Sequence, residues 1–385
     1  MSPPMISKAA ARYTGAGGKE HCSLCRHFSP RRGGRCARVL GDISPMGWCR
    51  LFSREMRGLV ADASSFNGGG GGPALGLDFM VPGVLDPLIT FTRASTATYF
   101  DAAGVMQSAA VNAPRWDYDP ATLQLRGLLI EEARTNLLLN SATLSTQSVA
   151  VTAQAYTLSF YGTGTITKSG TATGALVGTG AAQRVSQTFT PTAGTLTLTV
   201  TGSVTNAQLE AGAFATSYIL TTSAAVTRAV EVMSLPTSPW YNAAAGSLVL
   251  DVLYNGVTGS AYPALATLGD GTVNNVIYIL AKPSGLIHSE CTASGVSQWG
   301  IPGPIGPTLG VVEKVGVSLA SNNINFAING VLGAPDTVAT LPVVTTLFLG
   351  CSYINTTLAH AVAYRRVRYW SRALSTAELQ TVTTL

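Results

Sequence analysis

Four cysteines near the amino end of this 385-residue chain, Cys22, Cys25, Cys36 and Cys49, follow the spacing C-x2-C-x10-C-x12-C. Two thiolates on one tight turn, with two more delivered by short loops, form the ligand set of a tetrahedral metal centre or a cubane cluster. A structural zinc site needs only those four thiolates. An iron–sulfur cluster also needs apolar, aromatic cover that keeps water off its sulfides, and Phe28, Trp48 and Phe52 sit beside the ligands. Disulfides rank third: no apolar core of signal-peptide length precedes the cysteines, so synthesis in a reducing cytoplasm is expected. His21 and His27 flank the set and read as surface histidines, because four cysteines already complete it. Cys291 and Cys351 stand far apart in strand-like runs and read as buried small hydrophobes.

The elements that must position those thiols are short. Gly33-Gly34, Gly41 and Pro45 supply turns between ligands. A module of this size buries too little surface to fold on its own core, so a cluster here would act as a staple rather than an electron carrier. Residues 1–58, a basic arm plus the module, hold 11 Lys/Arg against 3 Asp/Glu, while the remainder holds 13 against 16. Arginines that offset the negative charge of a thiolate-ligated centre account for this balance better than nucleic acid does. Residues 59–76 form a linker marked by five consecutive glycines, Gly68 to Gly72.

Beyond the linker the chain reads as β structure. Only 11% of all residues are charged and 46% are hydrophobic, so much of the surface must be neutral or covered by other subunits. Apolar and hydroxyl residues alternate in 155–161, 184–189 and 195–201, the period of strands with one face inward. The same grammar returns in 246–254, 275–280, 314–319, 323–330 and 346–350. Phe91 to Phe100 predicts a strand, 101–104 a turn and 105–110 the returning strand. Only 375–380 predicts a helix, with Ser375 and Glu378 at capping-box spacing. No apolar run reaches the roughly 18 residues of a transmembrane helix, so no membrane insertion is expected. The fold class is thus mostly β: a small four-cysteine metal or cluster module followed by two β-sandwich domains, placed at 77–235 and 246–385, which resemble jelly-roll-type domains.

Four resemblances add to this reading. CSLCRHF followed by GRCARVLGDISPMGWCRLF resembles the cluster-binding part of high-potential iron–sulfur proteins, with a shorter gap between the second and third cysteines. That resemblance implies a [4Fe–4S] cluster on Cys22, Cys25, Cys36 and Cys49, with zinc the alternative. FTRASTATYFDAAGV, NAPRWDYDP and GLLIEEARTNLLLN (Phe91 to Asn140) resemble a segment of bacteriophage virion proteins of the tail-fibre, tail-spike or head-spike kind. Downstream, QLEAGAFATSYI and Thr227-Arg228 look like the close of a carbohydrate-binding-module-like jelly roll, and 246–385 resembles a concanavalin A-like, laminin G type sandwich.

What these imply is a structural protein of the virion, made in the host bacterial cytoplasm. Its partners would be other virion proteins, further copies of itself in a homo-oligomer, and a host-surface polysaccharide. No residue is assigned to sugar contact: Trp116, Trp240, Trp299 and Trp370 could stack on a ring, but core packing is the expectation for each. No enzyme is expected. Glu131 and Glu132 are adjacent and would point to opposite faces of a strand. The acids of 246–385 (Asp251, Asp270, Glu290, Glu313, Asp336 and Glu378) form no clustered E-x-D-x-x-E, and no G-x-S-x-G, H-E-x-x-H or phosphate loop occurs. The alternative reading is a free bacterial lectin or glycan-active enzyme.

Overall fold

A computed structural model describes residues 72–256, 262–351 and 361–385, with two short strands before them. The chain divides into two compact units, 1–72 and 73–385. In the first, Phe28–Ser29 pairs antiparallel with Arg35–Cys36, which sets Cys36 opposite Phe28. Cys22, Cys25, Cys49 and the side chain of Cys36 lie outside the described residues, as does most of the 59–76 linker.

The second unit holds two β-sandwiches, one inserted in the other. The larger has a seven-stranded sheet in the order Val296–Pro302, Ile287–Ala293, Val276–Ala281, Ala264–Gly269, Thr346–Leu349, Val232–Pro236, Thr90–Thr92. Facing it is an eight-stranded sheet built on Ala245–Gly256 and Ala361–Trp370. Alternate residues of both sheets fill one core: Leu265, Leu268, Ile277, Ile279, Leu347 and Leu349 from one, and Leu248, Leu250, Val315, Val317, Val362 and Tyr364 from the other. Hydrophobic burial on that scale is what holds two such sheets face to face.

The smaller sandwich packs a four-stranded sheet (Gln147–Val151, Gly194–Thr201, Thr165–Gly170, Gly174–Val177) on a three-stranded one (Gly180–Phe189, Tyr156–Gly162, Thr205–Ala211). Leu158, Phe160, Leu196, Leu198, Val204 and Leu209 form its separate core.

The mostly-β, two-sandwich class read from the sequence is therefore what the chain adopts. The sheets do not divide between 235 and 246. Leu75–Asp78, Thr90–Thr92, Trp116–Tyr118, Leu125–Ile130 and Val232–Pro236 all pair into the larger sandwich. The strand Leu75–Asp78 runs against Arg366–Tyr369, nearly three hundred positions away. Period-two patterning marks a strand but not its partner, which is why the sequence assigned these strands by proximity along the chain.

The predicted hairpin forms as Ala97–Phe100 with Met106–Ala109, but the single strand expected over 91–100 is broken in two, and Thr90–Thr92 pairs with Val232–Pro236 in another sheet. The predicted helix spans Thr376–Thr383, with both halves of the capping box made between Ser375 and Glu378. It lies on the outer face of the eight-stranded sheet, where Leu379 and Thr383 crowd the Cα of Gly316. Among the described residues, no helix is long and apolar enough to cross a membrane.

Candidate functional site

The chain leaves the larger sandwich after Ile130 and re-enters it at Val232. The two residues at this neck, Glu131 and Glu231, are 100 positions apart and bonded to each other. The Glu131 N–H donates to Glu231 Oε2 at 2.9 Å, and the Glu231 N–H donates to the Glu131 carbonyl at 3.1 Å. Just beyond, Arg134–Asn136 pairs with Val226–Arg228 as a two-stranded stalk.

Charged side chains crowd this neck and are buried. Glu231 Oε1 accepts from Arg93 Nη1 at 2.7 Å and Arg115 Nε at 2.8 Å, while its Oε2 accepts from Arg115 Nη2 at 2.6 Å. Arg115 uses all of its nitrogens, with Thr98 O, Ser217 Oγ and Glu131 as its other acceptors. Glu131 accepts from the Ser217 N–H at 2.8 Å and its hydroxyl at 2.6 Å, and it pairs with Arg228 at 3.1 Å. Glu132 turns the other way, to Arg134, although both glutamates lie just past the end of the strand Leu125–Ile130. With Glu210, which holds Thr216 through both carboxylate oxygens, four arginines meet four glutamates here.

A set of this kind is stable only when every charge is paired and hydrogen-bonded. Burial alone would raise the Glu131 carboxyl, but Arg228, Arg115 and the Ser217 hydrogen bonds hold it down at about 2. Burial works against the Arg115 charge too, yet Glu231 and Glu131 raise its pKa above the ordinary arginine value.

Packing closes the same neck. Phe214 seats its ring against the backbone of Gly256, where an added Cβ would come within 2.1 Å of it. Arg134 lies over the Phe214 ring at 4.8 Å and against Gly212, which holds φ +132° and has no room for a side chain.

Beside the cluster opens a pocket of about 110 Å3 that draws on both sandwiches, lined in part by Tyr99, Phe100, Asp117, Arg126, Arg184 and Asn255. Asp117 is buried, and its Oδ1 accepts the Phe100 N–H at 2.9 Å. Burial pushes its carboxyl up to about 6, against the pull of that bond and of Arg126, whose Nη1 lies 3.8 Å from Oδ2. Arg126 is about one-third exposed and also binds Asp119 at 2.9 Å. Arg184 reaches Thr216 O and Ser159 Oγ through its terminal nitrogens, leaving Nε unpartnered and buried. A carboxyl, two guanidiniums and an amide converging beside aromatic rings can bond a polyhydroxylated ligand.

Other sequence candidates lie elsewhere. Trp116, Trp240, Trp299 and Trp370 are all buried. Trp240 packs edge-on to Tyr369 and donates to Pro236 O, and Trp299 donates to Ser289 Oγ. Cys291 and Cys351 are buried free thiols that burial pushes up to about 12. Asp251 pairs with Arg368 and Glu378 with Arg372, and neither acid lines the neck pocket. Among the described residues, no three His, Cys, Asp or Glu side chains are grouped to hold a metal. Sequence reading missed Asp117, Arg126, Arg184 and the whole ion cluster. Their signal was charged residues set into apolar strands of a chain with few charges, as in LLIEEAR.

No family model matches the chain. A stretch of 48 residues is 44% identical to an iron oxidase of Acidithiobacillus ferrooxidans, covering 12% of this chain and about half (51%) of that protein. Among solved structures, the NanB sialidase of Streptococcus pneumoniae is similar at TM-score 0.33 and 17% identity, over 38% of this chain and 26% of that one. The carbohydrate-binding module (CBM40) of a Ruminococcus gnavus sialidase, bound to α2,3-sialyllactose, is similar at TM-score 0.33 and 19% identity, over 37% and 84%. The Trypanosoma rangeli sialidase is similar at TM-score 0.32 and 11% identity, over 40% and 26%.

Proposed function

We propose that this chain is a non-catalytic glycan-binding protein, and that it serves as an appendage of a bacteriophage particle. The observation that carries glycan binding is the pocket where Asp117, Arg126, Arg184 and Asn255 converge beside Tyr99 and Phe100. At about 110 Å3 it is small beside the roughly 300–1,000 Å3 of ordinary ligand sites. It would therefore take one terminal sugar, the ring against the aromatics and the hydroxyls on the polar groups.

Binding is favoured over hydrolysis by the state of Glu131. A glycosidase needs two available carboxyl groups flanking the bond it cuts. Asp117 faces the pocket, but Glu131, the other acid of its lining, has both oxygens occupied by Ser217, Arg115 and Arg228.

The virion role rests on the resemblance of residues 91–140 to phage appendage proteins. Attachment would fall to residues 1–58, with Cys22, Cys25, Cys36 and Cys49 gripping a [4Fe–4S] cluster, zinc being the alternative ion. The iron oxidase that is 44% identical to this chain over 48 residues is in keeping with an iron centre. Partners would then be other virion proteins and a second copy of the chain.

The test of glycan binding is an array of bacterial surface glycans probed with the full chain and with Arg126→Ala. Selective binding is expected, weakened at least tenfold in the variant while the melting temperature stays within a few degrees. No binding to any glycan, or equal binding by both proteins, would overturn the reading. Mass spectrometry of purified particles tests the virion role, and a chain found only in the lysate would count against it.

A further inference from the structure

A second concave site lies on the far side of the eight-stranded sheet from its core. The strand Ala361–Trp370 carries the run Tyr364-Arg-Arg-Val-Arg368. Its register against Ala245–Gly256 slips here: Asp251 faces Arg366 while Val252 faces Tyr364, so Arg365 is the extra residue of a β-bulge. Such a bulge re-aims a side chain that regular alternation would send elsewhere. Tyr364 and Val367 point into the core, whereas Arg365 and Arg366 both line a groove of about 490 Å3 with Met80, Asp251, Val312 and Lys314.

The cations of this groove are not equally engaged. Asp251 is buried and shared between Arg368 at 2.8 Å and Arg366 at 4.0 Å. Lys314 donates to Thr384 O at 2.8 Å. Among the described residues, the Arg365 side chain donates through Nε alone, to the thioether of Met80 at 3.2 Å, which is a weak acceptor. Among the described residues no carboxylate lies within ion-pair reach of it. A half-buried guanidinium is thus held with its forked end uncommitted, above the apolar surface of Met80, Val311 and Val312. The groove lining has three basic side chains and one acidic side chain, which is already paired, and the last residue of the sequence, Leu385, also lines it.

We infer that this groove binds the carboxylate of an acidic sugar in a polysaccharide, Arg365 taking the carboxylate with its two terminal nitrogens and Met80 with Val312 receiving the ring's apolar face. The guanidinium fork matches a planar carboxylate bidentately. Its volume falls in the range of ligand sites, unlike the smaller pocket at the neck. The inference rests on the glycan-binding reading but assigns a separate site and a charged ligand class.

The test titrates the full chain with polygalacturonate, dextran sulfate and neutral dextran, using wild type, Arg365→Gln, Arg365→Lys and the neck variant Arg126→Ala. Expected are binding of polygalacturonate but not neutral dextran, a loss of tenfold or more in Arg365→Gln, a smaller loss in Arg365→Lys, and none in Arg126→Ala. Affinity should also fall as salt rises. The inference is overturned if polygalacturonate is not bound, if Arg365→Gln binds it like wild type at unchanged melting temperature, or if dextran sulfate binds and polygalacturonate does not. Glycan binding that is lost in Arg126→Ala alone would leave the neck pocket standing and remove only this groove.

Discussion

Asp117 is where chemistry at the neck is most sensitive to conditions. Its carboxyl is pushed from an ordinary 3.8 up to about 6 by burial, so between those values the folded chain holds a proton that the unfolded chain has released. Stability must then fall as pH rises through that window, by roughly 3 kcal/mol at about 1.4 kcal/mol per unit. Asp117→Asn keeps an acceptor for the Phe100 N–H and removes the charge. It is expected to flatten the pH dependence between pH 4 and 6 and to unfold later than wild type at pH 8. Denaturant melts across that range decide it, and an unchanged pH profile would contradict the assignment. Glu131 acts in the opposite sense: held at about 2, it stabilises the fold above the ordinary glutamate range, and that contribution is lost as pH falls from about 4.5 toward 2.

Glu231 is the residue whose loss should cost most. Glu231→Gln leaves Arg93 and Arg115 buried with their shared carboxylate gone, a defect worth about 3–5 kcal/mol. Guanidinium melts should show a lower midpoint with an unchanged slope. A change under about 1 kcal/mol would mean the charges are compensated by other groups. None of this was legible beforehand as a site. Arg93, Arg115 and Glu131 were visible as letters in the segment resembling phage proteins, and Arg228 and Glu231 stood about a hundred positions further on, so only the fold brings them onto shared oxygens.

At the scale of elements, the insertion is fixed to its host by Phe214 on Gly256 as well as by the ions. Gly256→Ala drives a methyl into that ring and is expected to cost about 1–3 kcal/mol. In a Phe214→Ala background the same change should cost much less, because the clash is gone. Additive penalties in the double variant would show that the ring and the glycine do not act together. Individual strands were readable from the sequence wherever hydroxyl and apolar residues alternate, as in 195–201, or where a turn separates them, as at Asp101–Gly104. So was the helix, whose start is written locally in Ser375 and Glu378. Pairing was not readable. Ala361–Trp370 meets Ala245–Gly256, Leu125–Ile130 and Leu75–Asp78, and nothing local to Leu75–Asp78 names a partner at the far end of the chain.

For the whole molecule, the proposal pairs a glycan-binding body with an amino-terminal anchor whose thiols were the plainest signal in the sequence. If Cys22, Cys25, Cys36 and Cys49 hold a cluster, anaerobically purified protein should carry about four irons and four sulfides per chain and a broad visible absorbance. Changing Cys36 to Ser should abolish both. Equimolar zinc without iron would replace the cluster with the alternative ion and leave the anchoring role intact.

The body is where the central claim stands, and a crystal structure of the full chain grown with the glycan selected from the array tests it most directly. The account predicts a sugar ring seated beside Tyr99 and Phe100, with its hydroxyls on Asp117, Arg126 and Asn255. Sugar density found only at other surfaces, with this pocket holding solvent, would contradict it.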